Sequence, residues 1–461
     1  MKNDKSYSFS KKFVEGETLS GFWSLAFYGI VALNSFFIIK FLGVYEYGVY
    51  QLILSVMAVA ESLTVGYLAD MVLSDFSRYI GQGRFDLAKN IFRGHALVSF
   101  AVAVVIFAGV FFGADFLVGH YYDENIALFL KIAIIALLFR VGISILKLFF
   151  DGNIYFAALG APVFGESAKF IVLVGLMLFQ GLGIVQILIA YVLGHLFTFL
   201  FSLGHFFKVY KKLFFKVKRA EGSLIFFLLK NQGAWVGLRY VFSRIANNLR
   251  PWVIKFLLNT EAVAFFAFAR NIMAVALRLM PLGTFGLLLP RELEDKAKLR
   301  YFFAIMVKYS FFLSLIFAVL IFTIIPVLIN QIFPKYHEAI PLIKIMSLIT
   351  ILYGFYKVFR MTLVVLKEQK VLFTRSLDES ILSPLLLFVL LPFFGVEGTA
   401  IEWVLTYGTT TVLFYCYLVK YHPYLKLALK TFYFTRNDIK FGKHIFLLAI
   451  SQIKKSLSQS K

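Results

Sequence analysis

Long apolar stretches alternate with short polar breaks from the first tenth of the chain to about Lys420. An apolar run of roughly 18 or more residues is long enough to cross the hydrocarbon core of a bilayer as a helix. The pattern predicts twelve such helices, over approximately 20–42, 48–71, 92–113, 126–149, 154–178, 184–207, 235–258, 262–289, 302–329, 340–366, 371–393 and 398–419. The expected fold class is therefore an all-α polytopic membrane protein. Two stretches depart from the pattern. Residues 208–219 carry six lysines and arginines and divide the chain near its middle. The tail beyond Lys420 holds one short apolar run, 444–450, between lysines, which predicts an interfacial helix rather than a span.

The polar breaks fix the orientation. With the N-terminus inside, thirty lysines and arginines fall in the inner segments and Lys335 alone in the outer loops. Basic residues flanking membrane helices are retained on the cytoplasmic side, so both ends of the chain are expected there and the span count is even. The net charge of +22 follows from this bias and requires no nucleic-acid partner. Hydrophobic residues make up 60% of the chain, including 56 phenylalanines, and the mean hydropathy is +0.82. The first ten residues are polar and basic, so a cleavable signal is not expected and the first helix should remain in place. The single cysteine, Cys416, excludes a disulfide framework or a cysteine metal site. The seven histidines are scattered, and no H-E-x-x-H or glycine-rich phosphate loop occurs. No metal, no cofactor and no enzymatic activity are expected. His95 and His195 read as hydrogen-bonded interior residues.

The two halves resemble each other at a spacing of about 215 residues. Ile39-Lys40-Phe41-Leu42 recurs as Ile254-Lys255-Phe256-Leu257, Glu46 as Glu261, Glu166-Ser167 as Glu379-Ser380, and Tyr191 as Tyr407. Six spans per half makes the repeats parallel, about an axis along the membrane normal. The expected organisation is an N-terminal lobe over 1–219, a C-terminal lobe over 220–419, a basic tail over 420–461, and a central cavity between the lobes.

Charged residues inside spans are costly in lipid and mark function. On the seventh span Arg239, Ser243, Asn247 and Arg250 lie within roughly 80° of one another, a single polar stripe. Pro251 beside it predicts a kink. The eighth span adds Arg270 and Arg278. At 1.5 Å per residue, Arg250 and Arg270 both lie roughly 12 Å below the outer surface, and Arg278 and Arg239 roughly 24–28 Å. The two helices thus offer arginines at two matched levels to an anionic cargo. Arg140, Lys357 and Arg360, on the equivalent fourth and tenth spans, are candidates to extend the cationic lining. Glu61, in the second span, is the candidate for ion coupling, with a static counter-ion for Arg270 or Arg278 as its simpler role. Glu166 and Lys169 read as a local neutral pair, and Glu402 as a hydrated acid near the outer mouth.

Several segments resemble a family. Phe41-Leu-Gly-Val-Tyr-Glu-Tyr-Gly-Val-Tyr50 resembles the "FLG…EYGxY" turn of bacterial polysaccharide-biosynthesis flippases. Phe333-Pro-Lys-Tyr-His-Glu-Ala339 resembles their "FGxxYxxA" outer loop, and Pro392-Phe-Phe-Gly-Val-Glu-Gly-Thr-Ala400 their "P…GxxGxA" turn. The stretch from Leu258 to Phe268, with Leu289-Pro290-Arg291, resembles the start of their second half. The resemblance is to the oligosaccharide-flippase branch of the multidrug/oligosaccharidyl-lipid/polysaccharide exporter superfamily. It implies movement of an undecaprenyl-diphosphate-linked sugar repeat unit from the cytoplasmic to the outer leaflet of a bacterial inner membrane, by alternating access. The product would feed O-antigen, capsule or exopolysaccharide synthesis, with polymerase and glycosyltransferases as partners. Such a cargo suits the arginines: Arg250, Arg270 and Arg278 would hold the diphosphate, Arg239 would receive it at the inner side, and Asn247 would add a polar contact. Two alternatives stand beside this reading. A multidrug exporter of the same superfamily carries cations and commonly needs an acid in its first span, where 20–42 has none. A membrane polymerase or ligase needs catalytic groups outside, where the longest loops are about a dozen residues.

Overall fold

A computed structural model describes residues 3–64, 69–119, 124–153, 155–218, 220, 224–225, 245, 248–280 and 296–433. Thirteen α-helices occur among them: α1 (Asn3–Phe41), α2 (Val44–Leu63), α3 (Ala69–Gly81), α4 (Phe85–Gly119), α5 (Glu124–Gly152), α6 (Ala161–Gln180), α7 (Ile184–Leu213), α8 (Thr260–Leu279), α9 (Lys296–Ile332), α10 (Ile340–Val365), α11 (Gln369–Leu377), α12 (Ser383–Phe394) and α13 (Glu397–Tyr421). Residues 248–257 are also helical. Among the described residues, nine helical stretches are long and apolar enough to span a bilayer. The other three predicted spans are α2 and α13, whose apolar runs are interrupted by polar residues, and 235–258, most of which lies outside the described residues. The inner tail run, 444–450, also lies outside them.

Large apolar side chains cover the outside of the helices. Leu25, Val105, Phe112, Phe116, Phe179, Phe256 and Phe393 are each more than 70% exposed, far beyond what water tolerates over so many turns. Lipid is the solvent for this surface, and the chain is a multi-pass membrane protein.

Two boundaries depart from the hydropathy reading. The second span was expected over 48–71, but α2 stops at Leu63, where Thr64 turns extended and its Oγ1 and N–H both bond to the Glu61 carbonyl. The expected fifth span begins with a 3-10 turn, Phe156–Gly160, before α6. The expected eleventh is one candidate span over Lys370–Phe394, in which a π-turn over Asp378–Leu382 joins α11 to α12. Pro384 stands just after this π-turn and has no N–H to donate to the preceding ladder.

Helix starts recur through the two halves: 44 and 260, 85 and 296, 124 and 340, 184 and 397. The spacings of 211–216 residues match the sequence repeat, and α2 and α8 are both 20 residues long.

The chain forms two compact units, each drawn from separate segments. The first comprises Met1–Val275, Ile321–Met346 and Arg375–Thr406. Its inner end is an aromatic cluster in which Phe149 of α5 meets Phe206 of α7 at 4.8 Å and Phe92 of α4 at 5.2 Å between ring centroids. Phe214, fully buried, closes the cluster, and Lys89 holds the chain after it by donating to the carbonyls of Phe214 and Val217. Without a hydrophobic drive between helices in lipid, close packing comes from small residues. Gly165 of α6 accordingly sits against Gly194 and Thr198 of α7. The Glu166–Lys169 pair forms as expected at 3.3 Å, and Asn34 Nδ2 of α1 donates to Glu166 Oε2 at 2.7 Å.

The second unit comprises Ala276–Leu320, Ser347–Thr374 and Tyr407–Lys461. Its core joins Phe303, Met306 and Val307 of α9 to Val358, Phe359 and Leu363 of α10 and to Phe414 and Leu418 of α13. Gly354 lets α10 approach α9, where Ser310 Oγ donates to the Gly354 carbonyl at 2.8 Å.

Candidate functional site

In the first unit, three cationic side chains have different fates. Arg140 projects from α5 toward α2 and α7. It donates from Nη1 to the Tyr191 hydroxyl at 2.7 Å and from Nη2 to Glu61 Oε2. The partner of Glu61 is thus Arg140, not Arg270 or Arg278. Helix spacing could not reveal this, because the pair joins α2 and α5 across 79 residues.

Arg250 is 7% exposed. It bonds to Glu402 Oε1 of α13 at 3.0 Å and, through Nε, to Ser383 Oγ of α12 at 3.1 Å, and it lies over the Trp403 ring. Glu402 is fully buried, with Oε1 also accepting from Thr406 at 2.8 Å, so it is not the hydrated acid expected from its place near a helix end. Depth was the overlooked signal: Glu402 lies five residues into α13 and Arg250 about eight from the outer turn, so the two share a level.

Arg270 of α8 has no acidic partner among the described residues. Its contacts are Gln51 Oε1 of α2 at 3.5 Å and the Phe266 ring, and Arg250 lies within electrostatic reach. Around it, Tyr47 accepts from Asn271 Nδ2 at 3.0 Å, and Trp252 Nε1 donates to Ser55 Oγ at 2.7 Å. Arg250 and Arg270, expected at one depth, lie within electrostatic reach of each other. Gln51, Asn271 and Ser383 were not singled out in the sequence, since a lone polar residue in an apolar helix carries little signal until its neighbour is known.

A cavity of about 370 Å³ opens in the same unit. It is lined by Glu61 and Ser62 of α2, Thr64 just beyond it, His95 and Ser99 of α4, Arg140 and Ser144 of α5, and Asn248. His95 is 2% exposed and its Nδ1 is paired with Ser99 at 3.5 Å, while His195 Nδ1 pairs with the Tyr191 carbonyl at 2.8 Å. Both histidines are hydrogen-bonded interior residues, as expected.

In the second unit, Lys357 and Arg360 of α10 lie one turn apart and within electrostatic reach of each other, with Tyr353 beside Arg360. Neither forms an ion pair with an acidic residue among those described. Arg278 is exposed near the end of α8. Arg239 and Asn247 lie outside the described residues. Among the described residues no group of histidine, cysteine or acidic side chains is placed to hold a metal ion.

Three of the segments that resemble flippase motifs, 41–50, 258–268 and 333–339, meet in space at the outer end of the first unit. Glu46 caps α2 by accepting from the Gly43 N–H at 2.8 Å. Tyr47, buried behind it, meets Tyr336 edge-on at 5.9 Å, and Tyr336 stacks on Phe268 at 4.4 Å. Gly395 takes a positive φ of 56° in the turn before α13, a conformation only glycine adopts freely.

No family model matches this chain, and no curated protein does. Solved structures do. The inward-facing conformation of a multidrug-resistance MATE transporter of the MOP superfamily is similar with a TM-score of 0.71 at 15% identity, over 86% of this chain and 94% of that one. The lipid II flippase MurJ, in an inward closed conformation, is similar with a TM-score of 0.69 at 14% identity, over 95% and 93%. A MOP superfamily transporter from Pyrococcus furiosus, described by a binding pocket of reverse polarity, follows with a TM-score of 0.53 at 17% identity, over 91% and 95%. The chain has the fold of MOP superfamily transporters, built on two helical lobes.

Proposed function

We propose that this protein is a flippase that carries a polyprenyl-diphosphate-linked oligosaccharide across the membrane by alternating access, from the cytoplasmic to the outer leaflet. One observation carries the reading: Arg270 is a half-buried cation in a membrane helix, in contact with an amide and a ring but with no carboxylate among the described residues. A guanidinium so placed is costly unless an anion joins it, and its fork matches phosphate oxygens. Arg278 of α8 and Lys357 and Arg360 of α10 are retained on sequence grounds as further cationic candidates. Arg250 is neutralised by Glu402 and contributes by shaping the wall beside Arg270. Arg239 and Asn247 are retained on sequence grounds as inner contacts for the cargo. Glu61, held by Arg140, is the candidate coupling acid. A bacterial cytoplasmic membrane, polysaccharide synthesis and neighbouring polymerase and glycosyltransferases fit this cargo, and the likeness to a lipid II flippase supports it.

Purified protein in liposomes should translocate a fluorescent polyprenyl-diphosphate sugar. Arg270→Ala should slow transport about tenfold or more, the loss of one charge-assisted phosphate contact, while the melting temperature is kept. Export of cationic drugs without lipid movement would assign the chain to multidrug efflux. Extension of the sugar chain would assign it to polymerisation.

A further inference from the structure

The cavity beside Glu61 and Arg140 has a chemistry distinct from that around Arg270. Its two charges neutralise each other: Arg140 bonds to Glu61 and to Tyr191, so neither charge is offered whole to a ligand. A free anion would find the arginine occupied, and a cation would find the acid occupied. What remains is a neutral, two-sided lining of hydroxyl, imidazole and amide groups from Ser62, Thr64, His95, Ser99, Ser144 and Asn248. Ser62 and Thr64 donate their protons to the carbonyls of Val59 and Glu61, so they present oxygen lone pairs to the cavity. Three apolar residues, Ala58, Val141 and Ile145, complete the wall, too little for an apolar drug. At about 370 Å³ the space is at the small end of ligand sites.

We propose that this cavity is a sugar subsite, taking a neutral, polyhydroxylated ring of the cargo while the diphosphate is held elsewhere. The inference rests on the flippase reading and adds to it a division of labour. Hydroxyls of a sugar both donate and accept, and a lining that does both without net charge replaces the water they lose. Ser144 of α5 is exposed and lines the cavity, so a larger side chain there would fill the space.

The test uses two probes with the full chain in liposomes: polyprenyl diphosphate carrying N-acetylglucosamine, and the same lipid without sugar. Ser144→Trp fills the cavity. It should slow the glycosylated lipid about tenfold or more and leave the bare lipid within about twofold, and that second rate also shows that the variant is folded. Equal slowing of both lipids, or of neither, overturns the subsite. Transport of only the bare lipid by the unmodified protein overturns both the subsite and the oligosaccharide cargo. Transport of neither lipid removes the flippase reading itself.

Discussion

Lys40 and Lys335 cap each other's helices. Lys40, at the end of α1, donates to the carbonyl of Ile332, the last residue of α9, at 2.9 Å. Lys335, just beyond α9, donates to the carbonyls of Lys40 at 2.9 Å and Leu42 at the end of α1. The last carbonyls of a helix have no partner within it, and they carry the negative end of its dipole. Each lysine therefore satisfies the neighbouring helix end, and the one basic residue of the outer loops stands where the positive-inside rule is least obeyed. Lys40→Met and Lys335→Met should each lower stability by about 0.3–1 kcal/mol. The double variant should lose less than the sum, because breaking either contact loosens both ends. Thermal melting in detergent measures this, and strictly additive losses would show that the lysines act separately.

The Arg250–Glu402 pair is the most deeply buried ion pair in the described structure. Removing one partner of such a pair strands the other, a cost of about 3–5 kcal/mol, whereas replacing both by apolar residues is often tolerated. Arg250→Ala and Glu402→Ala should each sharply reduce the yield of folded protein. Arg250→Met combined with Glu402→Leu should recover most of it. A double variant no more stable than the singles would refute mutual neutralisation. A stable double variant that no longer moves lipid would return Arg250 to direct contact with the cargo.

The spans were legible because lipid imposes a length and a polarity on each helix independently of its neighbours. Their irregularities were not: α2 ends at Thr64 through a local hydrogen bond, and the eleventh span carries a π-turn over Asp378–Leu382 inside a run that hydropathy treats as uniform. The arginines could be picked out as costly, and the depths of Arg250 and Arg270 could be matched. Partners could not, since Glu61 meets Arg140 and Glu402 meets Arg250 across 79 and 152 residues. The motif residues gained a physical reason only in three dimensions, where Tyr47 and Tyr336, far apart in sequence, pack ring against ring.

Glu61→Gln keeps the shape of the side chain and removes its charge. Arg140 would then face the Tyr191 hydroxyl and a neutral amide oxygen in place of the carboxylate, and the contact between α2 and α5 would lose its ion pair. On the coupling role proposed for Glu61, transport by this variant should no longer respond to a proton gradient, and its rate should fall about tenfold under that gradient. Parallel transport assays with and without the gradient decide the matter. An undiminished response would leave Glu61 as a static counter-ion for Arg140.

Gly48 brings α2 against the start of α8. A Cβ at this position would lie 2.1 Å from the Thr260 carbonyl oxygen and 2.8 Å from its Cγ2, closer than any real contact. Alanine is ordinarily favoured over glycine in a helix by about 0.5–1 kcal/mol. Here that gain is outweighed by pushing apart two helices whose backbones touch, an overpacking cost of about 1–3 kcal/mol. Gly29 of α1 is the matched control, a helical glycine with nothing within 4 Å of its added Cβ. Melting curves should therefore move in opposite directions, downward for Gly48→Ala and upward or not at all for Gly29→Ala. Stabilisation by both would mean that α2 and α8 do not meet backbone to backbone, and the packing of Tyr47 and Gln51 against Asn271 and Arg270 would lose its support.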